Sequence, residues 1–388
     1  MRLLAHRRIL QVWRSADRHR IFAVAGILLA GTVVGGCGGG RHGGATTLAR
    51  PALSGARAVV DSAPSPLSAY RGPPRGPPAQ PRAPVVFVAA DVSDDGIAGV
   101  ARGVQQAARE IGWPLEIIDG EANVAVERRA LLAALRRRPG GIILGGVDAA
   151  NQQAALREAR ARGVPVVGWH SAVQPGPDRK LGLFTNVTSD PAQVARLAAD
   201  YAIAASGGTA GVVIFTDSEY AIDTYTARAM KSYVSKCPRC SVLTTIDTPS
   251  AGAATGMGGI LAALLQRFGK RFSYLLAVNG QYVTGASIAL TDAGRGGDRA
   301  PFSIAAGEGD ETEFARIRSD TYQKASVAEP LNLQGWQLID ELNRARAGQP
   351  PSGYVAPPRL ITRADVPNAA VFDPASGYQA NYLRIWGR

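Results

Sequence analysis

Polar and aromatic side chains follow nearly every short apolar run in this 388-residue chain, and their types suit the binding of a small molecule. Carboxylates and amides pair with hydroxyl protons, and an aromatic ring can cover the C–H face of a sugar. Together they predict a site for a polyhydroxylated ligand, although each acidic residue taken singly could instead cap a helix. The predicted ligand-binding residues are Asp91, Ser93, Trp169, His170, Asn186, Asp217, Tyr220, Asn279, Tyr282, Glu308 and Glu329.

Catalytic motifs are absent from the sequence. Three of the four histidines, His6, His19 and His42, precede the first predicted strand, so His170 alone could act as a base or a metal ligand in the folded region. No G-x-S-x-G, H-E-x-x-H or complete G-x-x-x-x-G-K-[ST] motif occurs. Three roles are open to His170: a hydrogen-bonding partner in the pocket, a structural residue, or a catalytic base. We expect that the protein is not an enzyme and that it binds no cofactor and no metal.

Short apolar runs alternate with amphipathic helical patterns from Pro84 almost to the C-terminus. This alternation predicts parallel sheets covered by helices on both faces, with ligands at the carboxyl ends of the strands. Roughly 300 residues exceed one small sheet, so we expect an α/β protein of two Rossmann-like lobes. Asp190-Pro191 predicts the start of one helix. The predicted strands are 85–90, 115–118, 141–144, 164–169, 181–186, 211–216, 242–246, 274–278, 302–306 and 324–328.

The N-terminal segment predicts export. An arginine-rich start precedes an apolar run over residues 21–34, which at 14 residues is too short for a mature membrane span and is typical of a signal peptide. Val34-Gly35-Gly36-Cys37 resembles the bacterial lipobox, in which the cysteine receives a diacylglyceryl group, and an ordinary secretory signal is the alternative. We expect residues 1–36 to be removed and Cys37 to anchor the protein to a membrane, facing the periplasm or the cell exterior.

The other two cysteines, Cys237 and Cys240, form a C-x-x-C pair. In an oxidising compartment this spacing predicts a structural disulfide in a helix-to-strand loop, and thiol redox chemistry or a metal site are the alternatives. A zinc site would need a second C-x-x-C or C-x-x-H, which the sequence lacks.

The formal net charge of +12 does not indicate nucleic-acid binding. Residues 1–20 and 38–83 carry +5 each, which leaves only +2 for residues 84–388, whereas a nucleic-acid binder concentrates basic residues on its folded surface. Residues 37–83 are rich in glycine and proline, so we expect a lipidated cysteine followed by a disordered tether whose arginines lie against anionic lipid headgroups.

Several segments together resemble a known family. They are Val85-Val86-Phe87-Val88, Gly163-Val164-Pro165-Val166-Val167, the strand ending at Asn186, Ala277-Val278-Asn279, Ala306-Gly307-Glu308-Gly309 and Val327-Ala328-Glu329-Pro330. Over residues 84 to about 366 the chain resembles the type I periplasmic substrate-binding proteins, which include ribose and galactose receptors and share their fold with LacI-type repressors.

The resemblance implies two lobes with a ligand trapped between them. Lobe 1 would hold residues 84–187 and 330–357 and lobe 2 residues 188–329 and 358–388, with three crossings near residues 186–188, 329–331 and 359–362. The resemblance implies that Asn279 supplies the side-chain amide that binds the ligand. It also places Glu308 at a position where the family usually has an aspartate. His170 replaces an aspartate and Thr224 stands near an expected arginine, which counts against a ribose-type pocket. Trp169 and Tyr220 either stack on the ligand or pack in the core.

A protein of this kind is expected to act as a monomer with a small-molecule ligand and a membrane ABC permease as its partners. A sensory receptor that signals by the same closure to a membrane kinase or chemoreceptor is the alternative. A transcriptional regulator would need a helix-turn-helix before the first strand, where the tether lies, and is excluded.

Overall fold

The computed structural model describes residues 44–62 and 69–388, and side chains from residue 51 onward, so that Cys37 and the predicted signal peptide lie outside the described residues. The helices are α1 (Gly44–Ser62), α2 (Asp95–Ile111), α3 (Val124–Arg136), α4 (Gln153–Ala161), α5 (Pro191–Ala205), α6 (Ala221–Val234), α7 (Ala253–Phe268), α8 (Gly280–Asp292), α9 (Glu311–Arg318), α10 (Leu331–Arg346) and α11 (Tyr378–Trp386). The strands are β1 (Val85–Ala89), β2 (Leu115–Asp119), β3 (Gly141–Gly145), β4 (Val166–Trp169), β5 (Gly176–Asp178), β6 (Leu183–Val187), β7 (Gly211–Thr216), β8 (Ser241–Asp247), β9 (Tyr274–Ala277), β10 (Phe302–Ala306), β11 (Gln323–Ala328) and β12 (Arg359–Thr362).

Lobe 1 is built on a six-stranded sheet with the order β2-β1-β3-β4-β6-β5. All neighbours in it are parallel except β5 and β6. The central strand β1 is buried along its whole length, as a parallel strand covered on both faces must be. Helix α10 packs directly on α2. The two backbones are so close at Gly335 that a Cβ on this residue would lie 2.5 Å from the Val104 backbone nitrogen. This close approach requires glycine at that position.

Lobe 2 repeats the architecture with the strand order β12-β11-β10-β9-β7-β8, parallel except for β11 and β12. Its helix α5 begins as the sequence predicts. Asp190 is the N-cap and accepts a hydrogen bond from the Ala192 amide at 2.9 Å, and Pro191 occupies the first turn. The expectation of two α/β lobes with mostly parallel sheets is confirmed.

All ten predicted strands are present, with ends that differ by at most two residues. The two strands that the sequence analysis missed, β5 and β12, are short and lie antiparallel at sheet edges. Edge strands are only half covered, so they lack the continuous apolar run by which buried parallel strands are recognised.

The chain crosses between the lobes where expected in two cases, at residues 188–190 after β6 and at residues 329–330 after β11. The third crossing comes before β12, because Ala356 still packs in the core of lobe 1 and residues 359–362 already form a strand of lobe 2. The crossing predicted at 359–362 is therefore displaced to the residues just before it.

A fourth crossing corrects the predicted assignment of residues 358–388 to lobe 2. After β12 the chain returns to lobe 1, where Trp386 of α11 stacks on Trp336 of α10 with ring centroids 5.6 Å apart. Trp386 Nε1 also donates to Asp340 Oδ1 at 2.9 Å. Aromatic burial of this kind places α11 in the core of lobe 1.

The expectation of a disordered tether is wrong for much of residues 37–83. Helix α1 packs on α5 of lobe 2, with Ala56 buried in a small cluster beside Ile203 and Cys237. Residues 70–83 instead run along lobe 1 in extended form, held by side chains of α10 and α11. The composition shows that this segment has no core of its own, but it does not show that the segment docks on a core that the lobes supply.

The C-x-x-C pair forms the expected disulfide, Cys237–Cys240, in the loop between α6 and β8. Cys237 is buried against α1 and α5, which ties this loop to the N-terminal helix. None of the helices in the described ranges combines the length and the apolar character that a transmembrane helix requires.

Replacement of Asn343 by alanine should detach residues 70–83 from lobe 1. Asn343 is fully buried, accepts from the Gln80 amide at 2.9 Å and donates to the carbonyls of Pro77 and Pro78 at 3.1 and 3.2 Å. The loss should lower the free energy of unfolding by about 2–3 kcal/mol in urea titrations and speed proteolysis of the segment. Gln105→Ala, at an exposed position of α2, is the control, and equal stability of both variants would contradict the packing role.

Candidate functional site

A cleft lies between the lobes at the carboxyl ends of their strands, and it contains about 970 Å³ of empty space that is partly continuous with solvent. The loops after β1 to β4 form its lobe 1 wall, and the loops after β7 to β11 form its lobe 2 wall. Eight of the eleven predicted ligand-binding residues line it, namely Asp91, Ser93, Trp169, His170, Tyr220, Asn279, Glu308 and Glu329.

Asn186 is not part of the lining. Its side chain is buried and lies under the loop that follows β4, where Oδ1 accepts from the Ser171 amide at 3.0 Å. Nδ2 donates to the carbonyls of Ala172 and Gln174 at 2.8 and 3.0 Å. With these bonds made, Asn186 shapes the loop that carries His170 rather than facing a ligand.

Asp217 and Tyr282 also lie behind the lining. Asp217 accepts from the Glu219 amide at 3.0 Å and the Ser250 amide at 2.9 Å, so it fixes two loops of lobe 2 to each other. Tyr282 is fully buried, and its hydroxyl donates to the Thr248 carbonyl. Sequence position alone could not separate these residues from the lining, because the direction of each side chain depends on loop geometry.

Glu329 forms a buried hub at the second crossing. It accepts hydrogen bonds from the Ser189 amide at 2.9 Å and from Gln334 Nε2 at 2.6 Å, and its Oε1 lies 3.1 Å from His170 Nε2. Burial by itself would raise the pKa of Glu329, but the His170 ring and these hydrogen bonds outweigh burial and lower the pKa. The first and second crossings are thereby joined to lobe 1 through one carboxylate.

Trp169 borders the cleft but is almost completely buried. Its indole is only 2% exposed, stacks on the His170 ring with centroids 3.9 Å apart and donates to Gln334 Oε1 at 2.9 Å. Trp169 therefore packs and positions the imidazole, which is the ring that borders the cleft beside it. Tyr220, from lobe 2, is half-buried and packs against the core of lobe 1 while lining the cleft.

A polar bridge joins the lobes across one end of the cleft. Asn279 is the N-cap of α8, with its Oδ1 bonded to the Gln281 amide at 2.7 Å. Its Nδ2 donates to Asp94 Oδ2 of lobe 1 at 3.0 Å and to Glu308 Oε1 of lobe 2 at 2.8 Å. Both amide protons of Asn279 are used, so the orientation of this side chain is fixed.

A second bridge closes the other side. Asp148 of lobe 1 caps the turn after β3 through the Ala150 amide at 2.8 Å, and its Oδ2 accepts from the Ala221 amide at the start of α6 at 2.8 Å. Asn151 Nδ2 donates to the Glu219 carbonyl at 3.3 Å nearby. The lobes therefore touch at both sides of the cleft.

The lining is acidic. It contains the carboxylates of Asp91, Asp94, Asp223, Glu308 and Glu329, and no lysine or arginine is found among the described residues that line it. Burial, followed by repulsion from neighbouring carboxylates, raises the pKa of Asp223 and of Glu308 well above the ordinary value. Asp223 accepts no hydrogen bond from any residue that the structure describes, so its carboxylate is available to a ligand.

Five further polar residues line the cleft that the sequence analysis did not select: Asp94, Asp223, Thr226, Ser250 and Gln281. Asp94 adjoins Ser93, and Asp223 lies in the first turn of the helix that begins after Tyr220. The sequence could have indicated both aspartates, because each lies within one helical turn of the polar residues selected at the strand ends.

Two lobes with mostly parallel six-stranded sheets and a polar cleft between them define a solute-binding protein of the periplasmic-binding-protein type I fold. The sequence matches the model of the periplasmic binding protein domain over residues 85–350. The chain therefore belongs to the periplasmic binding protein family, whose members are solute-binding proteins and not enzymes. No curated protein matches the sequence significantly.

Solved structures share this fold at low sequence identity. A sugar ABC transporter protein from Yersinia enterocolitica subsp. enterocolitica 8081 is 17% identical with a TM-score of 0.65, covering 78% of this chain and 89% of its own. A solute-binding protein from Agrobacterium vitis, bound with α-D-tagatopyranose, is 18% identical with a TM-score of 0.64, covering 74% and 97%. A Mycobacterium smegmatis solute-binding protein with bound glycerol is 17% identical with a TM-score of 0.64, covering 75% and 99%.

Glu329→Gln should remove a pH-dependent part of the stability. Because the folded pKa of Glu329 lies below its unfolded value, its contribution is complete above about pH 4.5 and is lost as the pH falls through the folded pKa. The variant should therefore be less stable than the wild type by about 3 kcal/mol at neutral pH, and the difference should shrink in acid.

Denaturant titrations across this pH range measure the difference. Glu110→Gln, at an exposed position of α2, is the control and should stay close to the wild type throughout. If the difference in stability between Glu329→Gln and the wild type grew in acid, the role of Glu329 as a buried, ionised hub would be contradicted.

Proposed function

We propose that the protein captures a small, uncharged polyhydroxylated solute, a sugar or a polyol, between its lobes outside the cytoplasm and delivers it to an ABC importer. The observation that carries the proposal is the interlobe cleft, whose polar lining consists of carboxylates, amides, hydroxyls and an imidazole. These groups are the acceptors and weak donors that sugar hydroxyls pair with. The relatives with bound tagatose and glycerol support the same class of ligand.

The charge of the lining argues against anionic solutes. Carboxylates and phosphates of ligands are held by arginine forks, lysine or helix N-termini, and the described lining holds neither arginine nor lysine. The acidic lining disfavours an anion, whereas the Asp223 carboxylate can accept hydrogen bonds from a pair of adjacent hydroxyls. Sugar acids and sugar phosphates should therefore be excluded.

Binding would work by closure of the lobes. The ligand would touch Asp94 and His170 on lobe 1 and Asp223 and Asn279 on lobe 2, so its contacts are complete only when the cleft is shut. Only such a difference in affinity between the open and shut states can shift the population. The direct bridges Asp94–Asn279 and Asp148–Ala221 would hold the shut state and present one joined surface to a permease.

We further propose that the protein is a lipoprotein anchored through Cys37. The apolar run and the Gly35-Gly36-Cys37 sequence support this, and they lie outside the described residues. The docking of α1 on lobe 2 shortens the segment between anchor and domain. The body would then stand closer to the membrane than a fully extended tether would allow.

Asp223→Asn should separate ligand binding from stability. The variant should bind a neutral sugar or polyol at least about tenfold more weakly, because the amide offers one acceptor oxygen where the carboxylate offers two. Its thermal stability without ligand should rise, since a half-buried carboxyl group whose charged form is disfavoured by burial and by neighbouring carboxylates is removed. Thermal shift measurements with glucose, galactose, tagatose, arabinose, inositol and glycerol, followed by calorimetry on the best binder, test both statements.

The control for this experiment is Asp292→Asn, at the exposed far end of α8. It should leave both affinity and stability unchanged. Gluconate and glucose 6-phosphate should give no shift with any variant. Tight binding of either anion by the wild type, or undiminished affinity in Asp223→Asn, would contradict the proposed ligand class.

Cys37→Ser should release the protein from membranes. A serine cannot form the thioether that carries the diacylglyceryl group, so a protein found in the membrane fraction should become soluble after export. Fractionation followed by mass spectrometry of the N-terminus provides the measurement. Retention of Cys37→Ser in the membrane fraction would exclude the lipid anchor while leaving the ligand proposal intact.

A further inference from the structure

Three buried carboxylates converge directly behind the lobe 2 wall of the cleft. Glu308 and Asp310 follow β10, and Glu313 lies in the first turn of α9. One oxygen atom from each lies within 4.8 Å of the others. Their exposed fractions are 7%, 6% and 0%, so water does not screen their charges from one another.

The three carboxylates surround the space left by the missing side chain of Gly280. A Cβ built on this glycine would lie 2.8 Å from Glu313 Oε1, 3.0 Å from Glu308 Oε2 and 3.2 Å from Asp310 Oδ2. Any other residue would fill the space between these oxygens. Glycine thus keeps open a small cradle, which we name the Gly280 cradle, with one carboxylate oxygen from each of three side chains at its wall.

Hydrogen bonding accounts for most of these oxygens but not for all. Glu308 accepts from Asn279 Nδ2 and from the Gly280 amide, and Asp310 Oδ1 accepts from the Glu313 amide at 2.8 Å. Glu313 Oε2 accepts from Gln323 Nε2 at 3.0 Å. Glu313 Oε1 is buried, faces the cradle and makes no hydrogen bond of ordinary geometry with the described residues. The Ser326 hydroxyl is the neighbouring donor to the Glu313 carboxylate, and it has no other partner of ordinary geometry among them. A buried acceptor without a partner is costly, so a missing ligand of the protein is the natural explanation.

The neighbouring cation does not balance the charge. Arg316 directs Nε to Gln323 Oε1 at 2.8 Å and Nη1 to Thr284 Oγ1 at 3.1 Å, so its recorded hydrogen bonds go to neutral groups. Its single charge lies near Glu313 and Asp310 of the cradle and near Asp95, and its Nη2 has no hydrogen-bond partner among the described residues. The N-termini of α8 and α9 donate to Glu308 and Asp310 but leave Glu313 Oε1 unsatisfied.

We propose that the Gly280 cradle binds a hard divalent cation such as Ca²⁺ through Glu308, Asp310 and Glu313. Carboxylate oxygens without any nitrogen or sulfur donor select Ca²⁺ or Mg²⁺ over softer metals. The cation supplies the partner that Glu313 Oε1 lacks and neutralises the charge behind the cleft. This site goes beyond the solute-binding function, and its existence does not depend on that function.

A proton is the competing occupant. Burial, and then the charge of Asp310, raise the pKa of Glu313 to about 8, so a protonated carboxyl could also relieve the repulsion. The two occupants differ in a measurable way, because only the cation makes stability depend on metal concentration.

The test uses the exported chain, stripped of metal with a chelator and dialysed against Ca²⁺, Mg²⁺ or Mn²⁺. At about 10 mM Ca²⁺, roughly ten times the weakest dissociation constant of extracellular calcium modules, elemental analysis should find close to one ion per chain. The melting temperature should rise by roughly 5 °C when the ion is present at about a hundred times its dissociation constant. Parallel Mg²⁺ and Mn²⁺ samples identify which ion fits best.

Two variants address the cradle itself. Gly280→Ala places a methyl group between the carboxylates, and Glu313→Gln removes one charge while it keeps an acceptor for Gln323. Both should lose the bound ion and the metal-dependent rise in melting temperature. Glu313→Gln should in addition be more stable than the metal-free wild type, because its amide can donate to the remaining carboxylates. If Gly280→Ala fails to fold, Glu313→Gln alone decides the question.

Gly256→Ala is the matched control, since this helical glycine of α7 has open space where its Cβ would lie. It should keep both the ion and the metal-dependent shift. Absence of a stoichiometric ion and of any metal-dependent shift in the wild type would overturn the proposal and leave the proton as the occupant. An ion retained by both Gly280→Ala and Glu313→Gln would overturn it equally. Sugar binding is measured separately on the same samples, so failure of one proposal is distinguishable from failure of the other.

Discussion

The buried carboxylate of Glu329 is the interaction on which the arrangement of the two lobes depends. It lies at the second crossing, accepts from the Ser189 amide of the first crossing, and contacts His170 and Gln334 of lobe 1. A charge buried at this point is tolerable only while those partners stay in place, because an unpaired buried carboxylate is strongly destabilising. The junction is therefore fixed by its own hydrogen bonds, and the direct bridges Asp94–Asn279 and Asp148–Ala221 join the lobes on either side of the cleft.

Those bridges are made by residues that also cap helices and turns. Asp94 is the N-cap of α2, Asn279 is the N-cap of α8 and Asp148 caps the turn after β3, and each uses a second polar atom to reach the opposite lobe. Capping a helix and contacting the opposite lobe are thus not exclusive roles for a polar residue at a strand end. A cap holds its side chain at a defined place at the mouth of the cleft, so little conformational entropy remains to be lost when the lobes meet.

The sequence predicted the fold closely and the site in part, and the differences have physical causes. Buried parallel strands are recognised in the sequence by their continuous apolar runs, which the edge strands β5 and β12 lack. The docking of residues 70–83 and of α11 on lobe 1 depends on partners such as Asn343 and Trp336, which are far away in sequence. Asn186 and Tyr282 have the right chemistry for a pocket, but loop and helix geometry turn them away from it. The Gly280 cradle was not predicted from the sequence, because the metal-site spacings considered there are those of histidines and cysteines, whereas its donors are three carboxylates within residues 308–313.

The excess of acid around the cleft links the solute site to the cradle. Glu308 belongs to both, since Oε1 orients the Asn279 amide and Oε2 lies at the wall of the cradle. The stabilisation that a proton would give the cradle falls as the pH rises, whereas the stabilisation that a bound metal ion would give increases. For a carboxyl whose folded pKa is raised, stability falls as pH rises from about 4.5 through about 8, because the unfolded chain releases the proton first. Metal binding strengthens over the same range, because its ligands must be deprotonated. A cation in the cradle would therefore hold Glu308, and through it the Asn279 amide, in place at the pH at which a proton no longer could.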